Sequence, residues 1–195
     1  MNELFDPDMI LHEAGHAITA AALGRKVEAV AVLKAGDLLA DGSGGFVNSD
    51  KGRDPIEEAA IYFGGVVGNA FGTGRNYGLL ERPQAQRFKK VSKRHRKQAD
   101  SGQSTYKPIT EKSDAQIRSF GCFDIVAATK ILNGRPDSDF ELSQKVSMAC
   151  IALNLGLLHE LAQALRDRFG LLRGADLDCI LFRVQRPTPE QVARL

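Results

Sequence analysis

The sequence predicts an α+β protein that is mostly α-helical, with a small β-hairpin or sheet and a C-terminal helical bundle. Three observations lead to this expectation. Two Asp-Pro pairs each precede a segment with apolar residues at helical spacing, which is the pattern of a capped helix start. One valine-rich segment is followed by a glycine-rich turn, as in a hairpin. The C-terminal third again carries apolar residues at helical spacing.

The composition indicates a single domain covering residues 1–195, because 43% of the residues are hydrophobic and can form one sizeable core. No stretch reaches the roughly 18 apolar residues of a membrane span. The N-terminus lacks the basic and apolar regions of a secretory signal. The three cysteines are widely spaced, which indicates buried thiols in a reducing compartment, so a cytoplasmic location is expected.

The first helix is expected to begin at Asp6-Pro7 and to stop near Gly24. It contains the run His-Glu-Ala-Gly-His. Residues four apart lie on the same helix face, so the imidazoles of His12 and His16 point the same way and can share one zinc ion. Glu13 is turned by about 100° from His12, where it can take a proton from a water that the metal activates.

This motif predicts metal-assisted hydrolysis, with a peptide bond as the expected substrate. A surface ion pair or a satisfied core contact is the alternative interpretation. The residues around the motif are nearly all small or apolar, however, so the helix is expected to be largely buried. Buried imidazoles and carboxylates need a partner, and a metal ion supplies one.

Two strands and a second helix are expected next. Residues 27–33 are β-prone, and 45–48 are expected to return beside them after the glycine turn. Either strand could pair with an extended peptide by strand addition. Asp54-Pro55 starts the second helix, whose glycines are Gly64, Gly65 and Gly68. Because glycine weakens an isolated helix, we expect the first helix to pack very closely against this one.

Residues 81–112 form a basic segment that is rich in lysine and arginine and poor in apolar residues. Such a composition is typical of a solvated, flexible insertion. The sharper alternative is a patch that binds nucleic acid or an acidic protein. Only Phe88 and Tyr106 interleave with the charges, which disfavours nucleic-acid recognition by stacking. His95 lies in this segment and is expected to be exposed.

The C-terminal part, residues 137–195, is expected to be helical and to belong to the same domain. The expected helices of the last third cover 123–132, then 139–169 with a candidate break at 154–156, then 176–182 and a final segment from Thr188. His159 lies on the long helix without a second histidine four residues away, so a structural role is expected for it.

A catalytic zinc ion needs a third protein ligand besides His12 and His16. No further histidine follows the motif at short spacing. Glu57 and Glu58, near the start of the second helix, are candidates, although the same position also suits them to the helix dipole. These residues alone leave the third ligand open.

The run His-Glu-Ala-Gly-His-Ala resembles the motif of FtsH-like zinc proteases, the M41-type peptidases. The likeness continues through both strands and the Tyr62-Phe-Gly-Gly65 step of the second helix. It resumes at Gly121–Thr129, where an aspartate opens a helix with Ala-Thr four and five residues on. The resemblance implies a zincin-like fold, with the motif helix packed on the glycine-containing helix. It also implies that Asp124 is the third zinc ligand, with Asp114 as a rival that could instead cap a helix.

Residues 5–70 and 118–170 carry this resemblance, and the sequence lacks the AAA+ ATPase module of the family. Where the family usually has Ala-Glu-Glu after the paired glycines, this chain has Val66-Val-Gly-Asn-Ala70. The resemblance therefore implies a stand-alone peptidase that cuts peptides or unfolded protein segments. A separate ATPase is the partner that could feed it.

We expect a zinc-dependent metalloendopeptidase in which His12, His16 and Asp124 hold Zn²⁺ and Glu13 is the general base. The alternative is a catalytically inactive, peptidase-like zinc module whose basic segment binds nucleic acid or an acidic protein partner. A helical scaffold without metal is a third hypothesis. The natural substrate, the cleavage preference and the oligomeric state are left open by the sequence.

Overall fold

The computed structural model describes residues 4–34, 45–50, 52, 54–88 and 121–195. Its helices and strands, in chain order, are α1 (Pro7–Ala22), β1 (Val27–Val32), β2 (Gly45–Ser49), α2 (Pro55–Gly72), α3 (Cys122–Ile131), α4 (Asp137–Leu153), α5 (Leu155–Asp167), β3 (Leu171–Arg173), α6 (Ala175–Leu181) and α7 (Pro189–Ala193). Residues 82–88 are also helical. The expected α+β class, mostly helical with a small sheet, is confirmed.

The first two long helices begin at the two Asp-Pro pairs. Asp6 is the N-cap of α1, and its Oδ1 accepts a hydrogen bond from the Asp8 amide at 3.0 Å. Asp54 caps α2 in the same way, accepting from the Ile56 amide at 2.8 Å. Each helix has a proline in its first turn, where a backbone N–H would have no helical partner. Both predicted helix starts are therefore confirmed.

Helices α1 and α2 approach each other so closely that glycine backbones touch. A Cβ placed on Gly15 would lie 2.2 Å from the carbonyl oxygen of Gly64, and one placed on Gly68 would lie 2.6 Å from the Cα of Gly15. Side-chain carbons do not occur at such distances from backbone atoms, so a larger residue would push the helices apart. The close packing expected from the glycines is present.

The three strands form one antiparallel sheet in the order β2-β1-β3. The register pairs Val32 with Gly45 and Ala31 with Phe46, which confirms the predicted hairpin of β1 and β2. One face of this sheet packs against α1, and its central residues Val30 and Leu172 are buried. The sheet therefore covers the helix that carries the histidines.

Strand β3 was not predicted from the sequence. It has only three residues, which is too short for apolar alternation to reveal a strand. It is placed by the turn after α5, where the Gly170 carbonyl accepts a hydrogen bond from the Val32 amide at 2.7 Å. The backbone of that turn is left-handed, with φ of 54° at Phe169 and 82° at Gly170.

The long C-terminal segment is divided into α4 and α5, which meet at an angle of 77°. At the corner, the side-chain amide of Asn154 donates to the carbonyls of Cys150 and Gln185, both at 2.8 Å. Its Oδ1 accepts from the Gln185 amide at 2.8 Å. Asn154 thus satisfies a carbonyl near the end of α4 and anchors the chain after α6. The break expected at 154–156 is confirmed.

The short C-terminal helices are α6 and α7, close to their expected positions. Thr188 and Gln191 form a reciprocal capping box at the start of α7. His159 is exposed on α5, away from the buried histidines of α1.

Arg82, the second residue of the basic segment, is packed against the C-terminal helices. The Arg82 guanidinium donates to Asp137 at 2.6 Å and to the carbonyl of Leu132 at 2.9 Å, and it lies 5.2 Å from the centre of the Phe140 ring. Only 13% of its side chain is exposed, so a solvated insertion does not describe Arg82. Residues 89–112, with His95 among them, lie outside the described residues.

Within the described ranges, no single helix combines the length and the apolar composition that crossing a membrane requires. The bent pair of α4 and α5 meets those limits only when both helices are counted together.

Gly15→Ala is expected to lower the free energy of unfolding by about 1–3 kcal/mol, because the added methyl group overpacks the contact with α2. Gly156→Ala is the matched control, since a Cβ at that helical position meets no atom within 4 Å. It should raise stability by up to about 1 kcal/mol through the lower entropy of the unfolded chain. Urea unfolding measures both, and equal effects of the two substitutions would contradict the packing argument.

Candidate metal centre

Helix α1 presents two histidines to the interior from successive turns. His12 and His16 are 5% and 8% exposed, and their Nε2 atoms lie 3.1 Å apart. The ring planes are nearly perpendicular, at 87°. The two imidazoles therefore direct their Nε2 atoms to one point from different directions.

A carboxylate from α3 reaches the same point. Asp124 lies in the first turn of α3, where the helix dipole stabilises a negative charge. Its Oδ2 is 2.9 Å from Nε2 of His12, and its Oδ1 is 3.6 Å from Nε2 of His16. The Asp124 side chain is 20% exposed, against 6% for His12 and 10% for His16, so it is the most accessible of the three side chains. Among the described residues, these three form the one group of potential metal ligands whose atoms all lie within 4.8 Å of one another.

Nε2 of His12, Nε2 of His16 and the two carboxylate oxygens of Asp124 have separations close to those of ligands around one zinc ion. Ligands placed 2.0–2.1 Å from a tetrahedral ion lie about 3.3 Å from one another. The two Nε2 atoms are 3.1 Å apart, Nε2 of His12 is 2.9 Å from Oδ2 of Asp124, and Nε2 of His16 is 3.6 Å from Oδ1 of Asp124. These separations lie on both sides of the tetrahedral value. Two imidazoles and one carboxylate also leave one tetrahedral position open, as in catalytic zinc sites.

The orientation of His16 is fixed by the backbone of α2. Its Nδ1 lies 2.7 Å from the carbonyl oxygen of Ile61. A carbonyl only accepts hydrogen bonds, so Nδ1 carries the hydrogen and Nε2 of the neutral ring presents its lone pair to the cluster. Metal-binding histidines usually have such a support. The sequence motif did not reveal it, because the partner is a main-chain atom of another helix.

Gly65 provides the space that the two rings occupy. A Cβ at this position would lie 2.5 Å from Nε2 of His16 and 2.6 Å from Nε2 of His12. Gly65, which was expected to serve helix packing, therefore also borders the candidate metal centre. Any side chain there would enter the region where the ligand atoms converge.

The charges of the cluster shift the proton affinities of its members. Burial alone would lower the pKa of His16, but the Asp124 carboxylate, with smaller help from Glu13, raises it to about 9. Burial alone would raise the pKa of Asp124, but the two imidazoles hold it well below its ordinary value. The site therefore favours positive charge between the rings and the carboxylate, and a metal cation or a proton can supply it.

Glu13 lies beside this cluster and against the start of β2. Glu13 is buried, with only 4% of the residue exposed. A Cβ on Gly45 would lie 2.8 Å from Oε1 of Glu13, so the absence of a side chain at Gly45 leaves room for the carboxylate. The sequence placed Gly45 at the end of the glycine turn and the start of the returning strand, and it gave no sign of this role, because only the sheet register brings Gly45 over α1.

Glu57 and Glu58, the other candidates for the third ligand on α2, contact residues outside the cluster. Glu57 forms ion pairs with Arg25 at 2.9 Å and with Arg186 at 2.7 Å. Glu58 accepts a hydrogen bond from the Gly52 amide at 3.2 Å. Neither belongs to the group around the imidazoles. Asp114 lies outside the described residues.

Comparison with known proteins gives no family assignment. No protein-family model matches the chain, and no curated protein sequence matches it.

Gly65→Ala is expected to weaken zinc affinity by about 10- to 100-fold, the usual effect of disturbing the support of metal ligands. Alanine is the better helix former, so a loss of affinity would come from the added methyl group and not from a weaker α2. Competition with a chromophoric chelator measures the affinity. The control Gly156→Ala should bind zinc as the unmodified protein does. Unchanged zinc affinity in Gly65→Ala would contradict the claim that a side chain at position 65 enters the ligand cluster.

Zinc binding at pH 7.5 is expected to release about one proton, because the raised pKa of His16, about 9, keeps that ring protonated in the metal-free fold. Calorimetry in buffers of different ionisation enthalpy counts the protons. The release should decrease as the pH approaches 9. In the metal-free protein, the stability that His16 contributes should be complete below about pH 6.5 and lost as the pH rises through about 9.

Proposed function

We propose that this protein is a zinc-dependent metallopeptidase that hydrolyses peptides or unfolded protein segments. The convergence of His12, His16 and Asp124 on one point, at separations of 2.9–3.6 Å, is the observation that carries the proposal. The His-Glu-Ala-Gly-His run and its resemblance to FtsH-like peptidases give further support.

His12, His16 and Asp124 would hold the ion. When bound, zinc supplies Lewis acidity, which makes a water more acidic and polarises a carbonyl group. Asp124 has the most accessible side chain of the three, and substrate would approach from its side. The hydrogen bond from Nδ1 of His16 to the Ile61 carbonyl would hold this ring in the orientation that directs Nε2 toward the ion.

Glu13 would act as the general base and then as the general acid. It would take a proton from the attacking water and later give that proton to the leaving amine. Glu13 is not one of the three candidate ligands, so its carboxylate would be available to exchange protons. It follows His12 directly in the chain, which would keep it close to the ion. Burial excludes competing water from the carboxylate.

The substrate would add as a strand to β2. β1 lies between β2 and β3, so both of its edges are occupied and the expectation of pairing at β1 is wrong. In the described part of the chain, β2 pairs with β1 alone. Its first residue, Gly45, adjoins Glu13. An extended backbone on the outer edge of β2 would therefore pass beside the general base, which favours unfolded chains over folded ones.

Glu13→Gln is expected to retain zinc and to lose peptidase activity by at least about a hundredfold, the usual size of a general-base contribution. Cleavage of an unfolded, fluorescently labelled protein measures activity, and elemental analysis measures zinc. Glutamine keeps the shape of glutamate, so the loss would report the missing proton acceptor.

Two further variants separate metal binding from chemistry. Asp124→Asn should lose most of its zinc along with its activity, whereas Glu141→Gln, which changes an exposed glutamate of α4, should change neither. Unaltered cleavage by Glu13→Gln, or cleavage that survives complete removal of metal by a chelator, would refute the proposed reaction. A non-catalytic zinc module would bind the metal and show no chelator-sensitive cleavage at all.

A further inference from the structure

The outer face of the sheet carries one row of apolar side chains. The register aligns Phe46 of β2 with Ala31 of β1, and Ala31 with Leu171 of β3. Alternate residues of a strand share a face, so this row lies opposite the buried Val30 and Leu172. We refer to Phe46, Ala31 and Leu171 as the apolar row.

Phe46 is the end of the apolar row that lies nearest to the candidate metal centre. It follows Gly45, the residue that adjoins Glu13. Phe46 is 44% exposed, whereas Ala31, between its two partners, is 8% exposed. The open side of Phe46 is therefore the outer edge of β2, since its inner side faces Ala31 across the strand pair.

We propose that Phe46 is a specificity-determining residue that contacts an apolar side chain of the substrate next to the bond that is cut. The inference rests on the proposed peptidase function and on strand addition to β2. A peptide in that position places one side chain directly opposite Phe46, about 4.5–5.5 Å away between Cβ atoms. Aromatic residues pair favourably with apolar and β-branched residues across strands.

The next row along the same face predicts where the preference ends. Asn48 is aligned with Ala29, and Ala29 with Arg173. Asn48 is exposed and its amide donates to Glu28 at 3.0 Å. A substrate residue opposite Asn48, two positions from the one opposite Phe46, therefore meets a polar surface. The expected substrate pattern is one selected apolar residue, without a second apolar preference two residues away on the side of Asn48.

The experiment is to digest a library of unstructured peptides with the zinc-loaded protein and to map the cleavage sites by mass spectrometry. The unmodified protein should enrich apolar residues at one position beside the cut, by about two- to fivefold, as expected for a favourable cross-strand pair. Phe46→Thr retains a good strand former and should reduce this enrichment to near the level of the library.

Phe46→Glu provides a test that impaired folding cannot imitate. Opposite charges pair favourably across strands, so this variant should enrich lysine and arginine at the same position. A weakened fold lowers all cleavage but does not create a new preference. Phe182→Glu is the matched control, because Phe182 is 79% exposed but lies at the end of α6; it should keep the original apolar preference.

The outcomes separate this inference from the function on which it rests. Chelator-sensitive cleavage with the same residue preference in the unmodified protein, Phe46→Thr and Phe46→Glu would overturn the role of Phe46 and leave the peptidase intact. The role of Phe46 would also be overturned if Phe182→Glu changed the apolar preference as much as Phe46→Glu does. If the unmodified protein cuts no peptide in the library, the proposed function falls and this inference falls with it.

Discussion

The backbone contact between α1 and α2 is the constraint on which the candidate metal centre depends. Where Gly15 meets Gly64 and Gly68, no side chain separates the helices, although packed helices usually keep their axes about 8–10 Å apart to accommodate side chains. Each glycine inside α2 costs about 1 kcal/mol relative to alanine. This close approach is also what lets the ring of His16 reach the Ile61 carbonyl. An alanine-rich α2 would be a better helix and would have no room for two imidazoles.

The second constraint is electrostatic. The carboxylates of Asp124 and Glu13 and the two imidazoles occupy a largely buried region, and buried charge is unfavourable unless it is compensated. In the metal-free fold, a proton on His16 compensates the negative charge of Asp124, which is why the pKa of His16 rises. One divalent cation with neutral rings would balance both carboxylates together. The same arrangement that retains a proton in the free protein would thus favour its replacement by a metal ion, and protons and metal compete for one position.

Local rules predicted the elements better than they predicted the site. The Asp-Pro helix starts, the hairpin of β1 and β2 and the corner at Asn154 follow from short-range chemistry, namely capping, turn residues and strand propensity. Asp124 is a different case, since 112 residues separate it from His12 and only family resemblance pointed to it. Strand β3, the support of His16 by a main-chain carbonyl and the second roles of Gly45 and Gly65 depend on tertiary contacts. The spacing of residues along the chain does not show where a glycine leaves room for a side chain of another element.

Different elements position the two parts of the site. The ligands are placed by three helices, with α1 and α3 providing the side chains and Gly65 of α2 providing the space. Glu13, the proposed general base, has a separate neighbour, because Gly45 of β2 rather than α2 leaves the room that Glu13 occupies. Metal affinity should therefore respond to changes in α2, whereas proton transfer should respond to the position of the hairpin. Under the proposed function, a substrate strand added to β2 would contact the element that borders Glu13, whereas the candidate metal ligands are bordered by α2.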